Sequence, residues 1–435
     1  MTMSAIRGYF TSVKRIAVSI MTTALFLSWG PMVLIGAAAS TARAQWTAVD
    51  LHPAGMFGSV GKGASGGQQV GYAQEPTLGN PRASLWSGTA ASWVNLAPGG
   101  TSYSLAYGAD AGQQVGEVYV SGFPTAALWS GTAASWVSLH PTGQSTSSAF
   151  AVGGGQQVGN TNLGGYHAAL WSGSAASWVD LNPPPNPITG YNHSSEAYGV
   201  SGGQQVGYVV ADGGIISASL WSGSAASWVN LHPAAFYSSY AYGVSGGQQA
   251  GYIRDLTSGA IPFRASVWTG TAASWVDLNP TAALWSFAYG VHDGQQVGTV
   301  KIGDVFHASL WNGTAASWVD LHTFLPAAFT SSEAYGISHV GGITYVVGYG
   351  NNGATGHTEA IMWVGTAPVC CAGDFDGDHI VTNADLPGFV AAMLAGGACP
   401  VAPACCPGDF NADGKVDGTD VPGFVAKLLG GGACP

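Results

Sequence analysis

Residues 197–231 read AYGVSGGQQVGYVVADGGIISASLWSGSAASWVNL, and most of the chain consists of copies of this stretch. Short runs rich in Val, Ile, Tyr and Trp suit β-strands, and the Gly, Ser, Ala and Asp between them suit turns. The same order of pieces returns again and again between residues 45 and 367. A period of this size makes the architecture an array of units before any single strand is assigned.

Three landmarks count the units. Gly-Gln-Gln-Val-Gly begins at Gly67, Gly112, Gly155, Gly203 and Gly294, with a Gln-Gln-Ala-Gly variant at Gly247 and a looser Tyr-Val-Val-Gly ending at Gly348, which makes seven. A strand ending in Trp places Trp86, Trp129, Trp171, Trp221, Trp268, Trp311 and Trp363, again seven. Ser-Trp-Val followed by Asn, Ser or Asp and then Leu places only six, Trp93, Trp136, Trp178, Trp228, Trp275 and Trp318. The missing copy stands at the other end of the array, as Trp46-Thr47-Ala48-Val49-Asp50-Leu51 ahead of His52-Pro53, just as His232-Pro233 follows Leu231.

An open solenoid has no reason to place the last unit's final strand first, whereas a ring must join its ends. Four-stranded units of this length are the signature of a β-propeller. The expected fold is therefore all-β, a seven-bladed β-propeller over residues 45–367 whose N-terminal strand closes the last blade. In blade four the strands are expected at 197–200, 205–209, 218–221 and 228–231.

Within this array the paired tryptophans read as core between neighbouring blades, with Trp285, outside both registers, the better candidate for exposure. The Gln-Gln pairs read as repeat-specifying positions beside a tight turn. Catalytic constellations are thin. The array holds five glutamates, Glu75, Glu117, Glu196, Glu333 and Glu359; Glu196 and Glu333 share one repeat context, so they form an acid/base pair only if geometry brings them together. There is no zinc-type H-E-x-x-H and no G-x-S-x-G elbow. His52, His140, His232 and His322 occupy equivalent loops and point to a repeat feature ahead of a metal ring. Asp50, Asp180, Asp277 and Asp320 alternate with Asn and Ser in one strand slot, for which a solvated position suffices.

The sharpest chemical motif lies in the tail, residues 368–435. Gly-Asp-Phe-Asp-Gly-Asp from Gly373 returns thirty-five residues later as Gly-Asp-Phe-Asn-Ala-Asp from Gly408. The spacing is that of an EF-hand loop, which wraps oxygen ligands around the hard Ca²⁺ ion. The second copy offers Asp409, Asn411, Asp413, the Lys415 carbonyl, Asp417 and Asp420, with Gly414 at the sharp turn. The first offers Asp374, Asp376, Asp378, the Ile380 carbonyl, Thr382 and Asp385; His379 replaces its turn glycine, so weaker binding is expected there. Each loop leads into an apolar run, 386–394 and 421–429, with Gly-Gly pairs as helix stops.

Residues 1–44 are of another kind. Arg7, Lys14 and Arg15 precede a run of apolar and small residues that ends in Ala42-Arg43-Ala44, the pattern of a cleaved secretory signal peptide, with retention as an anchor the alternative. This segment holds four of the eleven basic residues and no acids, leaving seven against twenty-two, a formal charge of −15. Nucleic acid is excluded as a partner, because phosphate binding needs a basic footprint. All six cysteines sit in the tail, Cys370, Cys371, Cys399, Cys405, Cys406 and Cys434. In a secreted chain they suggest disulfides, with 371–399, 406–434 and 370–405 one pairing among fifteen; structural zinc is the alternative.

Two resemblances add to this reading. Ala-Tyr-Gly-Val-Ser-Gly-Gly-Gln-Gln-Val-Gly, followed by His-Ala-Ser-Leu-Trp (307–311) or His-Ala-Ala-Leu-Trp (167–171), resembles the bacterial HAF repeats, which implies an extracellular location and no particular chemistry. Sialidase-like propellers are similar in architecture only, since their hairpin Asp is lacking in Trp-Ser-Gly-Thr-Ala-Ala-Ser-Trp. Residues 373–430 resemble a type I dockerin, a small α-helical calcium-binding module, which implies a cohesin-like protein as partner. The Ser-Thr-like recognition pairs of that family are replaced by Asn383-Ala384 and Gly418-Thr419. Together these lead to an expected secreted or cell-surface binding and assembly protein, leaning away from an enzyme. A glycoside hydrolase or polysaccharide lyase, or a lectin using Tyr237 and Tyr240 on carbohydrate, stands as the alternative.

Overall fold

The computed structural model describes residues 45–366, apart from loop positions 78, 163, 186, 189–192 and 256–262. In the tail it describes 373, 375, 381–394, 408–410 and 415–429. The signal-peptide segment 1–44 and all six cysteines lie outside the described residues. The chain forms two compact units, Arg43–Val369 in one and the tail from Cys370 in the other.

The first unit is a seven-bladed β-propeller of seven four-stranded antiparallel sheets. In blade four the strands are Ser194–Ser201, Gln204–Val210, Ile216–Trp221 and Val229–Asn230. The first two are joined through Gly202 and Gly203, at φ +57° and +77°, a left-handed pair that only glycine adopts without strain. The outermost strand is shorter than expected, two residues, because a 3₁₀ turn at Ala225–Ser227 takes up the approach to it. The Trp228 indole N–H then donates to Ser219 Oγ at 2.9 Å.

Closure works as the displaced strand implies. The N-terminal strand Gln45–Asp50 pairs antiparallel along its whole length with His357–Thr366, the third strand of blade seven. The register differs in one respect from the sequence reading. Leu51 N–H donates to Ala360 O at 2.8 Å, the bond that Leu231 makes to Ala218, so Ala48 and not Trp46 stands where the other blades carry their second tryptophan. Trp46 instead lies over Gly365, where a side chain would collide with its ring.

The core is repeated between blades. All seven tryptophans of the third strands are fully buried, and small and branched side chains recur around them from blade to blade. The second register is only half-buried and covers the rim of these clusters. Trp285 is half-buried too, beneath the Lys301 ammonium 4.7 Å from its ring.

The second Gln of each pair is buried and joins three segments. Gln205 Nε2 donates to Gly203 O at 2.9 Å and to Gln156 Oε1 of the preceding blade at 3.3 Å, and its Oε1 accepts from Gly223 N–H at 2.7 Å.

In the tail, the described residues contain two nine-residue helices, α1 (Leu386–Leu394) and α2 (Val421–Leu429). Their Phe389 and Phe424 rings stack at 4.2 Å, beside Val381 and Val416. Among the described residues no helix is long and apolar enough to cross a membrane.

Candidate functional site

Each blade presents its first strand to the central channel. In blade four the register slips between Ala197 and Gly199, a β-bulge that recurs at the equivalent place in every blade. A bulge re-aims the side chain it contains. Ala197 and Val200 point into the inter-blade core, while Tyr198 points to the channel. The close approach behind it is reserved for glycine: a Cβ on Gly207 would overlap the Glu196 carbonyl oxygen.

Seven bulges therefore aim seven equivalent side chains at one level: Lys62, Tyr107, Phe150, Tyr198, Tyr242, Tyr289 and Tyr335. Six are aromatic and follow one another round the ring, with centroids 4.8–5.6 Å apart. The seventh is Lys62, whose Nζ lies 3.6 Å from the Tyr335 ring centroid, a cation–π contact. The belt floors a cavity of about 600 Å³. Small residues line its upper wall and Ser65, Asp110, Ser201, Ser245, His292 and Ser338 its rim.

A polar layer lies behind the belt. Glu196 accepts from Tyr198 OH at 3.1 Å, Tyr208 OH at 2.6 Å and Asn160 Nδ2 at 2.9 Å. Glu333 accepts from Tyr335 OH at 3.0 Å and Tyr349 OH at 2.7 Å. Glu117 accepts from Ser148 Oγ at 2.6 Å, and burial raises its pKa. Burial, reinforced by these carboxylates, pushes the Tyr107, Tyr198 and Tyr335 hydroxyls far above the usual phenol range, so they stay protonated donors. Burial lowers the Lys62 ammonium to about 8, against the raising influence of Glu333.

This geometry settles several residues. Glu196 and Glu333 are committed to tyrosine hydroxyls in their own blades and offer no acid/base pair. The loop histidines are a repeat feature: His52, His140, His232 and His322 place Nδ1 2.8–2.9 Å from Ser59, Ser147, Ser239 and Ser332 Oγ. Those hydroxyls accept backbone N–H groups of the preceding blade, at Ala360, Ala126, Ala218 and Ala308. Asn182 and Asn279 fill the same place, each accepting from the serine hydroxyl. The aspartate slot is more than a solvated position, because Asp180 and Asp320 pair with His167 and His307 at 2.9 and 2.8 Å, and Asp277 pairs with Arg264. Tyr240 stacks on Tyr252 at 4.8 Å, among the aromatic contacts of the inner strands, while Tyr237 is exposed under Arg254.

Lys62 is the residue that sequence reasoning missed as a site. The signal was present: aligned on Ala-Tyr-Gly-Val, the first copy reads Gly-Lys-Gly-Ala, with lysine in the tyrosine position. Its meaning depends on the bulge, which no local pattern announces.

Of the calcium-ligand candidates, Asp374, Asp376, Asp378, Ile380, Asn411 and Asp413 lie outside the described residues. Thr382, Asp385, Asp409, Lys415, Asp417 and Asp420 are described. Asp385 is fully buried and accepts Phe375 N–H at 2.6 Å and Thr382 N–H at 2.7 Å. Asp420 is fully buried and accepts Phe410 N–H at 2.7 Å and Asp417 N–H at 2.9 Å. The two loops thus close identically on their twelfth residue. Oxygen donors such as these buried carboxylates suit a hard divalent cation.

No protein-family model matches the chain, and no curated protein matches it. Among solved structures it is similar to a puromycin hydrolase, with TM-score 0.45 and 13% identity over 71% of this chain and 53% of that one. It is also similar to prolyl endopeptidases, with TM-score 0.47 and 11% identity over 73% of this chain and 52% of that one. For the β-propeller domain of the Trilobed protease from Pyrococcus furiosus the values are 0.46 and 8%, over 70% and 95%. The chain spans about half the length of the first two. At these identities the likeness is one of fold.

These neighbours correct the function expected from the sequence. The similar structures named above are of a puromycin hydrolase and peptidases, and two further similar structures are of TolB proteins. The assembly role and its carbohydrate-active alternatives are withdrawn, and the leaning away from an enzyme with them. The physical reason is that fold analogy and a tail motif carried them, while Glu196 and Glu333 are each committed to tyrosine hydroxyls.

Proposed function

We propose that the propeller is a receptor for a small planar carboxylate, taken into the central cavity with its anionic group at Lys62 and its ring system against the aromatic belt. The observation that carries this reading is the single cation among seven equivalent positions that are otherwise aromatic. The cavity volume falls within the ~300–1,000 Å³ usual for small-molecule sites, which are mostly apolar with a few orienting polar groups. A carboxylate brought to a half-desolvated ammonium is worth more than the same pair in water.

The expected result is that benzoate, cinnamate and indole-3-acetate bind in calorimetry, while the matching neutral amides bind at least ~10-fold more weakly, the factor that ~1.4 kcal/mol represents. Lys62→Met should remove the preference for the acid with the melting temperature little changed. The pH dependence follows from the amine. Below about 8 it is charged in the free protein, so affinity is full; as pH rises above 8 the ammonium must be regained on binding, and affinity falls. Equal binding of acids and amides, or acid binding untouched in Lys62→Met, would sink the reading.

We further propose that the tail is a dockerin-like pair of calcium loops, held by the twelve ligands named above, and that the chain is exported through its N-terminal segment. The inward-facing carboxylates of Asp385 and Asp420 support the calcium reading. An ion that binds only the folded tail stabilises it, by about 2.7 kcal/mol at a hundredfold excess over Kd. Adding calcium after chelation should raise the tail's unfolding transition, and Asp420→Ala should remove about half of the bound metal. An unfolding curve indifferent to calcium would contradict the proposal.

A further inference from the structure

We propose that His292, Asp293 and His339 form a binding site for one divalent ion of the zinc, cobalt and nickel class at the mouth of the channel. These residues are where blades six and seven depart from the repeat. Blades four and five carry Ser-Gly-Gly at the first hairpin turn, as Ser201 to Gly203 and Ser245 to Gly247; blade six carries His292-Asp293-Gly294, and blade seven places His339 just before its own turn. Forty-six residues separate the two histidines, yet their rings meet edge to face at 4.9 Å.

The donor atoms are spaced for an ion. His339 Nδ1 lies 3.2 Å and His292 Nδ1 3.4 Å from the same Asp293 Oδ2, and the three ligand atoms lie within 4.8 Å of one another. Ligands held ~2.1 Å from a tetrahedral ion stand about 3.4 Å apart. His339 Nε2 faces Gln295 Oε1 at 3.0 Å, while Nδ1 faces Asp293 Oδ2 at 3.2 Å. His292 Nδ1 is buried and makes no hydrogen bond among the described residues. Two imidazole nitrogens and one carboxylate oxygen therefore converge, an arrangement that a cation completes. The Gln295 contact supplies the outer hydrogen bond that metal-bound histidines ordinarily make.

Asp293 reaches the site from a strained position. Its φ is +45°, where the equivalent Gly202 and Gly246 stand at +57° and +56°. Blade two places Ala111 at the same turn position with φ +47°, so the turn admits a side chain, and in blade six that side chain is a carboxylate. Three protein ligands leave a coordination position open, and His292 lies on the cavity rim, so that position faces solvent at the channel mouth.

The test is a cobalt titration of the full chain after chelation, read in the visible d–d bands. One equivalent of Co²⁺ with nitrogen and oxygen ligation is expected, displaced by zinc. His339→Gln and Asp293→Asn should each weaken binding at least ~100-fold, beyond the loss that outer-shell partners cause. In the unmodified protein, the paramagnetic ion should shift the His292 and His339 ring resonances in NMR spectra, a readout independent of how the variants fold. Absence of d–d absorption, its persistence in the His292→Gln/His339→Gln double variant, or a spectrum dominated by the thiolate charge-transfer band that the tail cysteines would produce, would overturn the assignment.

Discussion

Gly207→Ala is expected to destabilise the propeller by more than about 4 kcal/mol, the level at which a single substitution signals a specific structural conflict. The added methyl would overlap the Glu196 carbonyl oxygen and approach Ala197 Cα and Glu196 C, all backbone atoms that cannot swing aside. Relief would require undoing the bulge between Ala197 and Gly199, which would turn Tyr198 away from the channel. Gly71, Gly116, Gly159, Gly251, Gly298 and Gly348 stand in the same relation to their own first strands. Gly165→Ala is the control, since a Cβ there meets nothing within 4 Å, and its effect should stay within ~0.5 kcal/mol. Denaturant unfolding of both variants decides the matter; an unchanged midpoint for Gly207→Ala would mean that the bulge is not what the repeat glycine serves.

Removing Gln45–Asp50 should have an effect of similar size. The strand contributes a full-length ladder to His357–Thr366 and buries Trp46, with Ala48 against the same cluster. Loss of a buried tryptophan alone costs about 3–5 kcal/mol. A ten-residue strand would also be left as an open edge, a template for pairing with another chain. A chain beginning at Leu51 is therefore expected to unfold at much lower denaturant and to self-associate on size exclusion. A monomer with unchanged stability would show that the ring does not depend on its closing strand.

How much of this the sequence disclosed follows from what each feature depends on. The propeller was legible because seven copies average out local ambiguity, and because a strand absent after Trp363 and present at Trp46 has no use outside a ring. The match of Leu51-His52-Pro53 to Leu231-His232-Pro233 carries the register, through the bond from Leu51 to Ala360, while Trp46 stands two residues before the place of the second tryptophan. The channel belt was not legible. Alternation alone leaves the facing of Tyr198 open, and a bulge between Ala197 and Gly199 sets it, so Lys62 looked like a diverged repeat residue. His292 and His339 were also passed over, being far apart in the chain and brought together only by the adjacency of blades six and seven. The expected function failed for a different reason: it rested on what similar folds and tails do elsewhere, and the belt played no part in it.

The most direct measurement is the titration of Lys62 itself, by NMR of protein labelled with ¹³C at lysine. The chain has five lysines, Lys14, Lys62, Lys301, Lys415 and Lys427, so the signal is assignable through Lys62→Met. A midpoint near 8, set by burial in the belt and moving upward when an aromatic carboxylate is bound, is expected. A midpoint at the ordinary lysine value near 10.5, unmoved by any such ligand, would contradict it.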